Sequence, residues 1–127
     1  MVLPSAGAAL RHMKDNMFTG NNGDRAGVPN IGIIITDGKS NNPSQTKAQA
    51  DLVRRAGITI FSVGIGSGIS MSELNDMATD PDADHVFTVG DYSKLAQVKT
   101  LFQKQTCGGE ILIFPFRPAK LALSSLR

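Results

Sequence analysis

Asp37 is the side chain whose type and setting best suit chemistry. It closes the run Ile31-Gly-Ile-Ile-Ile-Thr-Asp-Gly38, an apolar stretch ending in a polar turn that continues into Lys39 and Ser40. A carboxylate there suits a hard divalent cation or a hydrogen-bond donor, while Asp-Gly is equally an ordinary turn pair after a strand. Thr36 and Ser40 are its polar neighbours. A second run, Ile58-Thr-Ile-Phe-Ser-Val-Gly-Ile-Gly66, leads into Ser67-Gly68. If both runs are parallel strands, the Asp37 and Gly66 loops stand side by side at the carboxyl end of a sheet, where open α/β folds place their sites. A catalytic domain using these two loops would need a second carboxylate, a basic residue or a metal beside Asp37, and Lys39 is the one basic group nearby in sequence.

Other candidates fare worse. Gly38-Lys39-Ser40 resembles the end of a phosphate-binding loop, but that motif requires a glycine where Ile33 stands. Gly64-Ile-Gly-Ser-Gly68 has a dinucleotide-like look, yet the third glycine would fall at Ile69, and close packing of a helix on the strand accounts for it better. Asp80, Asp82 and Asp84 alternate like a calcium loop, but Leu95 stands where its distal glutamate would be, so a solvated acidic turn is expected. His12 and His85 have no metal-ligand spacing, and a Cys107–His85 nucleophilic pair lacks a supporting third group. Cys107 is the lone cysteine.

The elements that would position Asp37 follow from periodicity. Ser5 can cap a helix carrying Leu10, Met13 and Met17 on one face. A loop rich in Asn and Gly leads into a strand at 30–36. Ser44 can cap a helix through Ala56, with Ala48, Leu52, Val53 and Ala56 on a shared face and Gly57 as its stop. The strand 58–65 follows. Ser70-Met-Ser-Glu73 reads as a capping box in which the serine hydroxyl and the glutamate carboxylate satisfy each other's orphan amides, opening a helix with Leu74 and Met77. A strand at 85–89 and a helix from Asp91 through Gln105, burying Leu95, Val98, Leu101 and Phe102, complete the pattern. Strands joined by helix-length connections must run parallel with right-handed crossovers, so the sheet order should be one, two, three. The expected fold class is α/β, a partial doubly wound parallel sheet of three strands with flanking helices.

Bulk properties set limits. The 127 residues suit one domain at roughly 100–200 residues each. Apolar content of 41% against 19% charged residues indicates a globular chain. The net charge of +2 comes from Arg117, Lys120 and Arg127 near the end, offset by Glu110, without a basic stripe or interleaved aromatics, which argues against nucleic acid as a partner. No stretch approaches the ~20 apolar residues that span a bilayer, and the first residues do not read as a signal peptide.

The wording Val28-Pro-Asn-Ile-Gly-Ile-Ile-Ile-Thr-Asp-Gly-Lys-Ser40, with Ala56-Gly-Ile-Thr-Ile-Phe-Ser-Val-Gly-Ile-Gly66, resembles von Willebrand factor type A domains, most closely the matrilin and collagen VI kind. The resemblance covers roughly Ser5 to Gly109. It implies a partial domain over 1–109 and a divergent tail over 110–127, with a non-functional fragment of a longer matrix protein as an alternative. It also implies a non-enzymatic adhesion module of the extracellular matrix, secreted, with collagens or other A domains as partners and Mg2+ or Ca2+ as the cofactor of a metal-ion-dependent adhesion site. That site draws most of its ligands from an Asp-x-Ser-x-Ser motif after the family's first strand, and this sequence contains no such motif. The family's metal-binding threonine, three positions before the Gly of Gly7-Ala-Ala-Leu10, is replaced by Pro4. Asp37 alone remains as a metal ligand, a remnant of the site, so no bound cofactor is expected for this chain alone. The family's cysteine after the last helix, here Cys107, would pair with one before the first strand, which this sequence lacks.

The missing first strand has a folding consequence. Strand 30–36 would normally pair with it, so its outer edge is expected to lie open, inviting self-association or a partner strand. Each buried Ile or Val contributes about 1.5–3 kcal/mol to a total stability of only about 5–15 kcal/mol, so marginal stability is expected. The tail segment Glu110–Pro118 could be an edge strand, an apolar tail or read-through of an altered gene, with Pro115 and Pro118 arguing against a central strand.

Overall fold

A computed structural model describes residues 6–94, 96, 99, 100 and 103, and the backbone of 121–126. Three parallel strands form as the spacing predicts: β1 (Asn30–Thr36), β2 (Ile58–Ile65) and β3 (Val86–Val89). They lie in the order β3-β2-β1. β1 and β2 pair from Asn30↔Ile58 to Thr36↔Gly64, and β2 and β3 from Ser62↔Val86 to Ile65↔Val89. The third strand opens one residue later than expected because His85 closes a short helix, α4 (Asp82–His85).

A fourth strand corrects the expected open edge. Residues Leu121–Leu126 form β4, which pairs parallel to β1 along its outer side from Ile31↔Leu121 to Thr36↔Leu126. The order is therefore β3-β2-β1-β4. A row of unpaired amides and carbonyls is a template for any uncharged segment free of proline, and Leu-Ala-Leu-Ser-Ser-Leu is one. The segment Glu110–Pro118 lies outside the described residues.

One sheet face carries the helices α1 (Ala6–His12), α2 (Pro43–Arg55) and α3 (Met71–Met77). The first widens into a π-type turn over Met13–Met17. Helix α2 packs against α1 on one side and α3 on the other. Leu10, Met13, Ile34, Ala50, Val53, Ile60, Leu74 and Met77 are buried together in this layer. Backbone and helix approach closely: a Cβ on Gly32 would stand 2.3 Å from Met13 Sδ, and one on Gly64 2.7 Å from both Ile69 and Leu74. Close strand–helix packing is thus the reason for the second glycine, as its sequence context suggests. On the opposite face Val63 and Ile65 pack with Ile33, Ile35, Phe87 and Val89.

Helix α2 departs from expectation at its start and its face. Its cap is Asn42, whose side chain accepts from the Gln45 amide at 3.1 Å, with Pro43 in the first turn. An Asn-Pro start satisfies one orphan amide and removes another, which outcompetes Ser44. The buried stripe is Thr46, Ala50 and Val53, and Leu52 is 44% exposed. The helix expected after Asp91 is described only at 96, 99, 100 and 103, and its expected buried residues lie outside the described set, as does Cys107.

Candidate functional site

β1 carries Asp37 to the carboxyl end of the sheet, where it is half-buried. Its loop is pinned from three sides. Thr36, itself 6% exposed, donates its hydroxyl to the Gly38 carbonyl at 3.0 Å and accepts from the Gly38 amide at 3.3 Å, a tight local turn. The Ser40 amide donates to both oxygens of the Glu73 carboxylate, at 3.0 and 3.2 Å. The Thr46 hydroxyl lies 3.0 Å from Ser40 Oγ and 3.1 Å from the Asn42 carbonyl, tying the loop to α2.

Glu73 is the departure from the expected capping box. Ser70 does cap α3, accepting from the Glu73 amide at 3.4 Å. The glutamate does not return the bond. Its side chain, 5% exposed, turns to Ser40 across the top of the sheet. A buried carboxylate must find donors, and here a loop amide supplies one where the box would have used the cap residue's own amide.

Tyr92 is the residue that sequence reasoning missed. It sits in the turn Tyr92–Lys94 after β3 and donates its hydroxyl to Asp37 Oδ2 at 3.1 Å, while its ring stays 46% exposed. Asp91 organises that turn by accepting from the Ser93 amide at 2.8 Å and from its hydroxyl. The Ser93 hydroxyl is the main reason that the Asp91 carboxyl titrates below its ordinary value. The one sequence clue to Tyr92 is its place after that cap.

The Gly66 loop stands beside Asp37 as expected. Gly66 adopts φ +80°, and its amide donates to the Val89 carbonyl at 2.9 Å. A Cβ on Gly68 would stand 3.0 Å from the Asp37 carbonyl oxygen, so the two loops touch through bare backbone. Among the described residues the face presents the Asp37 carboxylate, the exposed Tyr92 and glycine backbone, with Lys39 exposed at its border. Among the described residues no three His, Cys, Asp or Glu side chains group to hold a metal ion.

The remaining candidates lie elsewhere. The His85 ring packs on Phe61 at 4.7 Å between centroids, and its Nδ1 lies 3.0 Å from the Pro81 carbonyl, a structural role. Asp80 and Asp82 line a polar depression of about 210 Å³ with Lys47, Arg54, Asn75 and Asp76. There the guanidinium Nη1 of Arg54 donates to the carbonyls of Asp76, Met77 and Ala78 at 2.8–3.0 Å, satisfying the orphan carbonyls at the end of α3. Lys47 pairs there with Asp76 and Arg54 with Asp51, and among the described residues the acidic turn does not group to hold a metal ion. No described helix is long and apolar enough to cross a membrane.

Comparison with known proteins gives a consistent result. The family model described as "von Willebrand factor type A domain" matches residues 4–103. Mouse matrilin-1 is 37% identical over 101 residues, covering 80% of this chain and 20% of its own length. The collagen alpha-1(XXI) chain of Xenopus laevis is 33% identical over 101 residues, with 80% and 10% covered. Among solved structures, proximal thread matrix protein 1 from the mussel byssus superposes with a TM-score of 0.76 at 30% identity, covering 84% of this chain and 29% of that one. Another structure of that mussel protein, with a TM-score of 0.74, has a zinc-occupied MIDAS motif. The chain thus spans about a fifth of the matrilin-1 it matches.

Proposed function

This chain belongs to the von Willebrand factor type A domain family, and we propose that it is a non-enzymatic protein-interaction module of extracellular matrix type. Its partners on this reading are matrix proteins such as collagens or other A domains, and it works outside the cell. The contact surface is the carboxyl end of the sheet, around Asp37, Tyr92 and the Gly66 loop.

The observation that carries this reading is the Asp37 loop itself. Thr36, Glu73, Ser40 and Thr46 hold it in a fixed shape, and among the described residues no acid–base pair stands beside it. Glu73, the buried carboxylate nearest in the hydrogen-bond network, accepts from a backbone amide and does not bond to Asp37. Preorganised backbone with one charged and one aromatic group suits recognition of a protein surface.

Divalent metal binding occurs in this family, as the zinc-occupied mussel relative illustrates. In this chain we read the site as incomplete. A hard cation takes about six oxygen ligands. Asp37 offers one carboxylate, already bonded to Tyr92, and the Thr36 hydroxyl is spent on Gly38. These residues do not fit a resident Mg2+ or Ca2+, so no step of recognition is assigned to one.

Calorimetric titration of the purified chain with Mg2+ and with Ca2+, alongside Asp37→Ala, tests this. The incomplete site predicts no saturable heat up to millimolar metal and no metal-dependent rise in unfolding temperature. Millimolar or tighter binding that disappears in Asp37→Ala would restore a cation-dependent adhesion site.

A further inference from the structure

Glu73, Asp91 and Asp37 stand at the carboxyl end of the sheet, and the first two are spent. Both oxygens of Glu73 accept from the Ser40 amide, and Asp91 accepts from the amide and hydroxyl of Ser93. Asp37 differs. Its Oδ2 accepts from the Tyr92 hydroxyl at 3.1 Å, while among the described residues its Oδ1 has no hydrogen bond and neither oxygen has an ion pair. Lys39 and Lys94 are exposed in the flanking loops and do not pair with it. Asp37 is half-buried, and a carboxylate partly withdrawn from water keeps more of its pull on a cation than a fully exposed one.

Tyr92 adds the second half of the arrangement. A phenol that donates to a carboxylate gains electron density in its ring, and cations are drawn to the face of such a ring. Tyr92 is exposed, and its hydrogen bond fixes it beside the charge. The surrounding walls are backbone. Gly68 approaches so closely that a Cβ on it would stand 3.0 Å from the Asp37 carbonyl oxygen, whereas a Cβ on Gly38 or Gly90 would meet open space, which leaves room for a flat group.

We infer that Asp37 and Tyr92 together receive one arginine side chain of a partner protein, its guanidinium bonding Oδ1 of Asp37 and lying against the Tyr92 ring. This deepens, and rests on, the reading of this face as a protein-contact surface. Guanidinium is the favoured cation because it is planar, carries its donors in one plane and stacks on aromatic rings, whereas an ammonium is a strongly hydrated point charge. The sign of the selection follows from the bare carboxylate. A bound divalent cation would draw an acidic side chain from the partner; Asp37 without one repels an acid and draws a base.

Peptides of one scaffold decide it. Acetylated and amidated Gly-Arg-Gly, and its versions with lysine, citrulline or glutamate at the centre, are titrated in chelator into the isotopically labelled full chain, following the amides of Gly38, Gly68 and Ser93. The arginine peptide should give saturable shifts there at millimolar concentration and bind about tenfold more tightly than its neutral citrulline counterpart, with lysine between them and glutamate giving no shift. Added salt should weaken the arginine peptide's binding. Asp37→Asn, which can still accept from Tyr92, should abolish the preference for arginine over citrulline, and Asp37→Lys should transfer binding to the glutamate peptide. Were either variant unable to fold, the ranking of the four peptides on the native chain still decides. Equal binding of arginine and citrulline overturns the inference, as does the absence of saturable shifts from the arginine peptide, a preference for glutamate, or arginine selectivity that persists in Asp37→Asn. So does arginine binding that emerges only in Arg127→Ala, since the residue following the Thr36↔Leu126 pair would then be the cation filling the position. Selective arginine binding by a chain that ignores collagen and matrilin would remove the matrix reading and keep the receptor, so the two fail separately.

Discussion

Glu73 shows how a side chain's partner depends on distance in space rather than in sequence. By position it completes a Ser-x-x-Glu box, and the half of that box made by Ser70 forms. The carboxylate instead binds the Ser40 amide, thirty-three residues away. Local pattern gives the cap; only the packing of α3 beside the β1 loop gives the tether, and that packing has no signature in a single sequence. Glu73→Ala leaves the Ser40 amide without its acceptor and should cost about 1–3 kcal/mol in denaturant unfolding. Hydrogen exchange at Ser40 should accelerate in the same variant, a local readout that a loss of cap alone would not give. Ser62 makes the opposite case. Its hydroxyl is fully buried in β2 without a hydrogen-bond partner among the described residues. Ser62→Ala removes an unsatisfied group and should leave stability unchanged or raise it by up to about 1 kcal/mol, measured by the unfolding midpoint at constant m-value. Asp37 was legible from its strand-end position, whereas Tyr92, fifty-five residues away, was not, because a turn tyrosine has no periodicity.

At the scale of elements, periodicity located every strand from 30 to 89 and most helices, while competing caps shifted the details. Helix α2 is capped by Asn42 rather than by Ser44, and its buried face carries Thr46 while Leu52 is exposed. A threonine whose hydroxyl reaches the Asn42 carbonyl and Ser40 Oγ can be buried, which a purely apolar stripe does not anticipate. Asn42→Ala should destabilise the chain by about 1 kcal/mol, while Ser44→Ala should fall within about 0.5 kcal/mol of the parent, as read by thermal or urea unfolding. The reverse order would place the cap at Ser44. The short β3 leaves a second consequence. It pairs with β2 only from Ser62 onward, and Thr79 fills the gap, its amide donating to the Ile60 carbonyl at 3.0 Å and its hydroxyl accepting from the Ile60 amide at 2.9 Å. One residue thus acts as a strand extension that no alternating pattern could reveal.

For the whole molecule, connection length and handedness fix the order of β1, β2 and β3, so the α/β architecture follows from sequence. The fourth strand does not. It comes from beyond the matched region, after a stretch of Gly and Pro that interrupts every period, and its place beside β1 is a long-range pairing. The edge expected to lie open is thereby covered. The proposed interaction role rests on the opposite feature, the strand ends, where Asp37 and Tyr92 present charge and ring on a rigid backbone. The most direct test is binding of the full chain to immobilised fibrillar collagen and to a matrilin A domain, in Mg2+ and in chelator, compared with an Asp37→Ala, Tyr92→Ala double variant of matched stability. Saturable binding to at least one of them is expected, surviving chelation and weakening more than about tenfold in the double variant. Absence of binding to both, or binding untouched by the double variant, would contradict it.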